Sequence, residues 1–173
     1  MFGDRASGLS SVAAVVSWTI RTAVVDDRPR LREIFRLAAL SNEGDRAALR
    51  EHPEGLLWPD EPLDEGRTRV AVAPDGTLVG FHSVFDTAGA LEIEDLFVDP
   101  EWMRRGIATA LIADTVAIAR ERNVRRVEVD GNPHALAFYE SAGFVVDGEV
   151  PTPFGSSAWR LHLDVNDSSR DRT

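Results

Sequence analysis

Apolar residues recur along this chain with two periods, near two in short runs and near 3.6 in longer ones, and the alternation of the two lays out the elements. Trp18 to Val25 alternates in part and is rich in β-branched residues, which predicts a first strand. Asp26-Asp27-Arg28-Pro29 follows as a helix start, with Asp as N-cap candidate and Pro early in the helix. Leu31, Ile34, Phe35, Ala38 and Ala39 make one apolar helical face. Ser41 to Gly44 breaks that helix, and Asp45 to His52 reads as a second, short one. Pro53 to Gly66, with three prolines and five acidic residues around Leu56, Leu57 and Trp58, reads as a loop. It is either a lid or substrate wall, or a solvated acidic loop with Trp58 tucked into the core. Thr68 to Ala73 and Leu78 to Phe85 are strands joined by the turn Pro74-Asp75-Gly76-Thr77. With the turn Asp86 to Gly89 and a third strand, Leu91 to Val98, they predict an antiparallel meander.

A helix follows, marked by Ile107, Leu111, Ile112, Thr115, Val116 and Ala119 and ending near Arg122-Asn123. Val124 to Val129 is then a strand parallel to Leu91–Val98 through a right-handed crossover. Asn132-Pro133 opens another helix, Ala135, Leu136, Phe138, Tyr139 and Ala142 form its body, and Gly143 stops it. Phe144 to Val150 and Ala158 to Val165 are the last strands, linked by Pro151 to Ser157. The pattern predicts a single α/β domain over residues 18–165, a mixed sheet of about seven strands flanked by about four helices. Residues 1–17 read as a non-targeting extension and 166–173 as a polar tail.

The first chemical signal lies where the strand Leu91–Val98 hands over to a helix. Asp99-Pro100 stops the strand, and Glu101 to Gly106 makes the turn. The first N–H groups of a helix have no partner inside it, and the helix dipole adds positive potential. Gly106 lets a ligand approach the backbone, and Arg104 and Arg105 add positive charge. On these residues alone the turn is either a site for a phosphate-bearing ligand or an ordinary joint with solvated arginines.

Composition narrows the chemistry. A formal net charge of -10 argues against nonspecific nucleic-acid binding and docking on anionic membranes, and mildly favours cationic substrates. With no cysteine, disulfides, thiolate metal sites and a cysteine nucleophile are excluded. All 19 basic residues other than histidine are arginine, so Schiff-base chemistry on a lysine of this chain is excluded too. No apolar run reaches the ~20 residues that span a bilayer. Val12 to Val16 is too short for a secretory core, which makes the cytoplasm the expected location.

Two blocks combine into a resemblance. They are Val98-Asp99-Pro100-Glu101-Trp102-Met103-Arg104-Arg105-Gly106-Ile107-Ala108, and Asn132-Pro133-His134-Ala135-Leu136-Ala137-Phe138-Tyr139-Glu140-Ser141-Ala142-Gly143-Phe144. Together they resemble the GNAT superfamily of acyl-CoA-dependent N-acetyltransferases. The family's loop, Gln/Arg-x-x-Gly-x-Gly/Ala, falls on Met103 to Ala108, and its Asn-x-x-Ala-x-x-Phe-Tyr-x-x-x-Gly-Phe signature on Asn132 to Phe144. The order of elements matches from Thr19 to Val165. Met103 stands where Gln or Arg is usual, Arg104 where a second Gly is common, and Ala108 where Gly is often found.

The resemblance implies a GNAT-like fold, acetyl-CoA as acyl donor, no metal, and a small-molecule or peptide amine as acceptor. Leu96, Phe97 and Val98 would pair their backbone with the pantetheine arm. Arg104, Arg105, Gly106, Ile107, Ala108 and Thr109 would cradle the pyrophosphate, and Asn132 would bond the cofactor, cap its helix, or both. Tyr139 would protonate the leaving thiolate, and a backbone N–H such as that of Val98 would stabilise the oxyanion. The attacking amine must first lose a proton. Glu94 is favoured as its acceptor, with Glu92, Asp95, His82 or a water behind it. By period two, Glu92 and Glu94 share one face of their strand and Asp95 points to the other. Relatives are commonly dimers, which leaves a homodimer open. The alternative to catalysis is a CoA-binding sensor or scaffold, and a nucleic-acid-associated regulator is disfavoured by the charge.

Overall fold

Seven strands, in the spatial order β1-β2-β3-β4-β5-β7-β6, form one mixed sheet in a computed structural model that describes residues 17–152 and 157–165. The extension expected before residue 17, the tail from 166 and residues 153–156 of the last linking loop lie outside the described residues. The strands are β1 Thr19–Thr22, β2 Thr68–Val72, β3 Leu78–Asp86, β4 Leu91–Val98, β5 Arg126–Gly131, β6 Val145–Pro151 and β7 Ser157–Asp164. The helices are α1 Arg28–Ser41, α2 Glu43–Glu51, α3 Glu61–Asp64, α4 Ile107–Glu121 and α5 Leu136–Ser141. β1 to β4 run antiparallel to their neighbours, as the meander requires, and β5 lies parallel to β4 across the α4 crossover. No helix among the described residues is long and apolar enough to cross a membrane.

Two cores flank the sheet. On one face Leu31 and Ile34 of α1 join Trp58, Leu63, Val70 and Phe81. On the other, Ile112 and Ala119 of α4 and Tyr139 of α5 pack on Ile93, Val127 and Leu161. Burial of side chains of this size contributes about 1.5–3 kcal/mol each, which fixes α1 and α4 on opposite faces of β4.

Local chemistry shifts several boundaries. β1 ends at Thr22 rather than Val25, because Val25–Asp27 forms a tight turn into α1. Asp27 occupies the N-cap position, but its carboxylate turns back to accept from Val24 N–H at 2.8 Å and from Arg21. Within Pro53–Gly66, the short helix α3 adds a fifth helix to the roughly four expected. Trp58 of that segment is buried in the α1-side core. Gly143, at φ 93, ends α5 as its position predicts.

The largest departure is in β4. Ser83 of β3 faces Asp95 and Val84 faces Ile93, so Glu94 is an extra residue with no partner: a β-bulge. It resets the alternation. Ile93 keeps the α4 face, while Asp95 moves onto the α1 face with Glu92, not onto the opposite one. The period-two expectation fails here because it assumes an unbroken pleat.

Candidate active site

β4 is held along its whole length by β3 but by β5 only from Leu91 to Ile93. Beyond Ile93 the two parallel strands separate. Asp99 N–H donates to Val79 O at 2.9 Å. Strand alternation therefore turns the N–H and C=O of Phe97 toward β3, and those of Leu96 and Val98 toward the gap. Of the three residues expected to pair with an extended ligand, Leu96 and Val98 offer backbone groups. Phe97 offers its ring, which lines a cavity on the α1 side.

After β4 the chain turns at Pro100–Trp102, where the Asp99 carboxylate accepts from Glu101 N–H at 2.9 Å. Gly106, at φ 83, is the N-cap of α4, and no side chain caps this 15-residue helix. The first-turn amides of Ile107, Ala108 and Thr109 are thus left for a ligand, at the positive end of the helix dipole. Arg104 takes up a left-handed backbone, φ 62, and lines the groove in front of these amides. Arg105 behaves differently. Its guanidinium lies 4.7 Å from the centre of the Trp102 ring and donates to Glu101 O at 3.2 Å, outside the groove lining.

That groove, of about 690 Å³, runs from Arg104 and Gly106 past Leu96 and Val98 to Phe138 and Tyr139. In a chain of net charge -10, none of its lining residues is acidic. Tyr139 closes its inner end, packed edge-on against Phe138 and Phe144 at 5.3 and 5.4 Å. Burial pushes the Tyr139 phenol well above its ordinary pKa, so it carries its proton at neutral pH.

A second cavity, of about 230 Å³, lies on the α1 side and is lined by Ala38, Ala39, Asn42, Asp45, Phe97 and Asn132. It shares Leu96, Val98, Met103, His134 and Ala135 with the groove, so the two meet at the gap between β4 and β5. Asn132 caps its turn, its Oδ1 accepting from Ala135 N–H at 2.9 Å, and also lines this second cavity. A larger recess of about 810 Å³ on the outside of α1, lined by Arg30, Arg36 and Leu57, holds none of the expected site residues.

The candidate bases separate. Glu94 is exposed and paired with Arg67 at 2.6 Å. Burial raises the Glu92 carboxyl; Arg160 opposes the rise, while Asp130, Glu128 and Glu94 add to it. His82 is fully buried, 2.8 Å from Asp114 and 3.2 Å from Thr115, and lines neither cavity. Asp95 lies buried on the α1 face.

One residue that lines the site carries no functional signal of its own in the sequence. His134 lines both cavities, with Nε2 4.0 Å from Asp45 Oδ1 and lying against Gly44, where a Cβ would come within 3.1 Å. Its place follows from the approach of α2 to the start of α5, which only tertiary structure supplies.

The sequence model of the acetyltransferase (GNAT) family matches residues 29–144. The chain is 36% identical over 78 residues to a glucosamine 6-phosphate N-acetyltransferase of Trypanosoma brucei brucei, covering 41% of this chain and 53% of that one. It is 31% identical over 111 residues to an aminoglycoside N(6')-acetyltransferase type 1 of Stenotrophomonas maltophilia, covering 51% and 72%. It spans about half the length of the first of these relatives. The fold is similar to the PaiA N-acetyltransferase of Thermoplasma acidophilum in complex with coenzyme A, with a TM-score of 0.65 at 20% identity, over 86% of this chain and 99% of that one.

Proposed function

Because this chain belongs to the acetyltransferase (GNAT) family, we propose that it transfers an acetyl group from acetyl-CoA to a primary amine by direct attack, with both substrates bound at once. The observation that carries the reading is the groove without acidic residues, leading from the uncapped start of α4 to Tyr139. A pyrophosphate suits the amides of Ile107, Ala108 and Thr109 with Arg104 beside them. Arg105 contributes its charge from over Trp102. An extended pantetheine arm suits the unpaired backbone groups of Leu96 and Val98, the two sides of a missing strand.

The chemistry follows from the two cavities. The thioester reaches the gap from the α4–α5 side, and the amine enters from the α1 side over Phe97. As the nitrogen–carbon bond forms, the carbonyl oxygen gains negative charge, and Leu96 or Val98 N–H stabilises it. As the carbon–sulfur bond breaks, Tyr139 gives its proton to the sulfur. Asn132 and Asp45 hold the acceptor, and Glu94, exposed at the bulge, draws in the ammonium form of the amine. A small-molecule amine fits the second cavity, at about 230 Å³, more closely than a folded protein surface does.

Calorimetry of acetyl-CoA with the native protein and with Gly106→Glu tests the donor site. Binding that the substitution abolishes supports the reading, and an amine panel scored by release of free CoA then identifies the acceptor. Binding without release of CoA by any amine would favour a sensor or scaffold. No binding by the native protein overturns the assignment.

A further inference from the structure

The two cavities that meet at the gap are charged in opposite senses. Arg104 lines the groove on the α4–α5 side, and no acidic residue does so. In the cavity on the α1 side the order is reversed: Asp45 is the one acidic residue of its described lining, and no arginine is among them. Elsewhere arginine neutralises the aspartates. Asp27 pairs with Arg21, Asp60 with Arg32, Asp99 with Arg30, Asp114 with Arg69 and Asp130 with Arg160. Asp45 has no arginine partner among the described residues. Arg46, next in sequence, donates instead to Leu40 O at 2.7 Å. His134 Nε2 stands 4.0 Å from Asp45 Oδ1, beyond hydrogen-bonding distance. A carboxylate lining a cavity without a hydrogen-bonded partner is a ready acceptor for a cation.

Asp45 belongs to the first turn of α2 and lies outside the set of residues that both cavities share. That shared set, with Leu96 and Val98, marks the gap where the acetyl group would be transferred. Ala38, Ala39 and Phe97 give the cavity an apolar wall. Phe35 and Phe81 hold the Phe97 ring in place, with centroids 4.9 and 5.6 Å away. The reacting nitrogen must be neutral to attack, and a carboxylate set against it would favour its protonated, unreactive form. The same carboxylate set against a second, non-reacting cation leaves the attack unhindered and fixes the acceptor in place. At about 230 Å³, the cavity falls below the roughly 300–1,000 Å³ of drug-sized ligand sites, so the two nitrogens must be joined by a short spacer.

Resting on the acetyl-transfer reading, we propose that the acceptor is a short diamine, with one amino group acetylated at the gap and the other held as its ammonium by Asp45. The spacer lies against Ala38, Ala39 and Phe97. Asp45 is then the specificity-determining residue, and it acts on acceptor binding rather than on the reacting atoms. The nitrogen–carbon bond forms at the gap, the carbon–sulfur bond breaks, and the thiolate takes a proton, while the ammonium at Asp45 keeps all of its own. The product is the monoacetylated diamine with free CoA. Its acetamide end cannot replace an ammonium at Asp45, so a second acetylation is disfavoured. An acceptor with a carboxylate or phosphate in place of the second amine meets a negative charge and finds no arginine in the cavity lining to receive it.

The test compares putrescine, butylamine and γ-aminobutyrate, which share a reacting end and carry a cationic, an apolar and an anionic far end. Initial rates of CoA release are read under saturating acetyl-CoA. In the native protein kcat/KM for putrescine should exceed that for butylamine by about 10- to 100-fold, mostly through KM. γ-Aminobutyrate should be the poorest of the three, and the putrescine product should carry a single acetyl group by mass. Asp45→Asn should abolish the preference for putrescine, and Asp45→Glu should retain it. Asp45→Arg should invert the order and place γ-aminobutyrate first. Each ratio is taken within one protein, so partial loss of fold does not mimic the effect, and the native ratio stands even if a variant fails to fold. Equal kcat/KM for putrescine and butylamine in the native protein, or a preference that survives in Asp45→Asn, would overturn the assignment and leave acetyl transfer in place. Failure of the native protein to release CoA with any amine would overturn acetyl transfer, and the diamine with it.

Discussion

The ring of Tyr139 lies so close to Gly131 that a Cβ on Gly131 would sit 3.0 Å from both Cδ2 and Cε2 of the ring. Gly131 is the last residue of β5, next to Asn132, where the strand has parted from β4. The absence of a side chain there seats the phenol at the end of the groove. Gly131→Ala should push the ring out of line and lower kcat roughly 10- to 100-fold, with acetyl-CoA affinity nearly unchanged. Tyr139→Phe should lower kcat by about 10²-fold through loss of the proposed acid. Steady-state kinetics with calorimetry checks both, and a native kcat in Gly131→Ala would mean that the phenol does not need this seat.

Arg104 adopts a backbone conformation that favours glycine, φ 62. A non-glycine residue there costs about 1 kcal/mol, and such outliers persist where they serve a site. Arg104→Gly should therefore stabilise the fold, by up to about 1 kcal/mol, and weaken acetyl-CoA binding. The salt dependence of binding should also become shallower, because one fixed charge has been removed. Denaturant melts and calorimetry at two ionic strengths separate these effects. A variant that gained stability without losing affinity would show that the side chain does not serve the phosphates.

How much was legible depends on which physical rule governed each part. β4 was readable to the residue, because Leu91 to Val98 is bounded by a turn and by Asp99-Pro100. The strand-to-helix turn was readable because Gly106 and the helix start are local features. The face assignment of Asp95 was not. Glu92, Glu94 and Asp95 alternate as in any strand, and only the pairing with β3 reveals that Glu94 is an extra residue. Arg104 and Arg105 look equivalent in sequence, yet a stacked Trp102 separates them. Trp58 and Asp95 come together in the fold from 37 positions apart, and neither has a local signature.

Asp95 makes a prediction about stability. Its folded pKa, about 6, lies above that of an unfolded aspartate. Its contribution is therefore fully present below the unfolded pKa and is lost as pH rises through 6. Above that, holding a buried charge destabilises the fold by on the order of 2–3 kcal/mol. Asp95→Asn should melt at a higher temperature than the native protein at pH 8, and the gain should vanish in acid. An equal melting temperature at pH 8 would show that the native carboxylate is not penalised.

Asp114 predicts the opposite slope. Burial alone would raise its carboxyl, but hydrogen bonds from His82 and Arg69 more than offset this and hold it below the usual carboxylate value. Arg69 donates to both of its oxygens, at 2.5 and 2.9 Å, so β2 and β3 are both tied to the middle of α4. A depressed carboxyl contributes stability above its unfolded pKa and loses it as pH falls through the folded one. Asp114→Asn should destabilise the fold at pH 7, on the order of 3 kcal/mol for breaking a buried network. It should also flatten the loss of melting temperature in acid. Because the proposed phosphate cradle lies at the start of α4, the loosened helix should bind acetyl-CoA more weakly while the chemistry proposed for Tyr139 is retained. A variant that melted earlier but bound acetyl-CoA as tightly as the native protein would show that the cradle is held by β4 and its turn alone. Relative to the native protein, the melting temperature should rise in Asp95→Asn and fall in Asp114→Asn at pH 8, and both differences should shrink in acid.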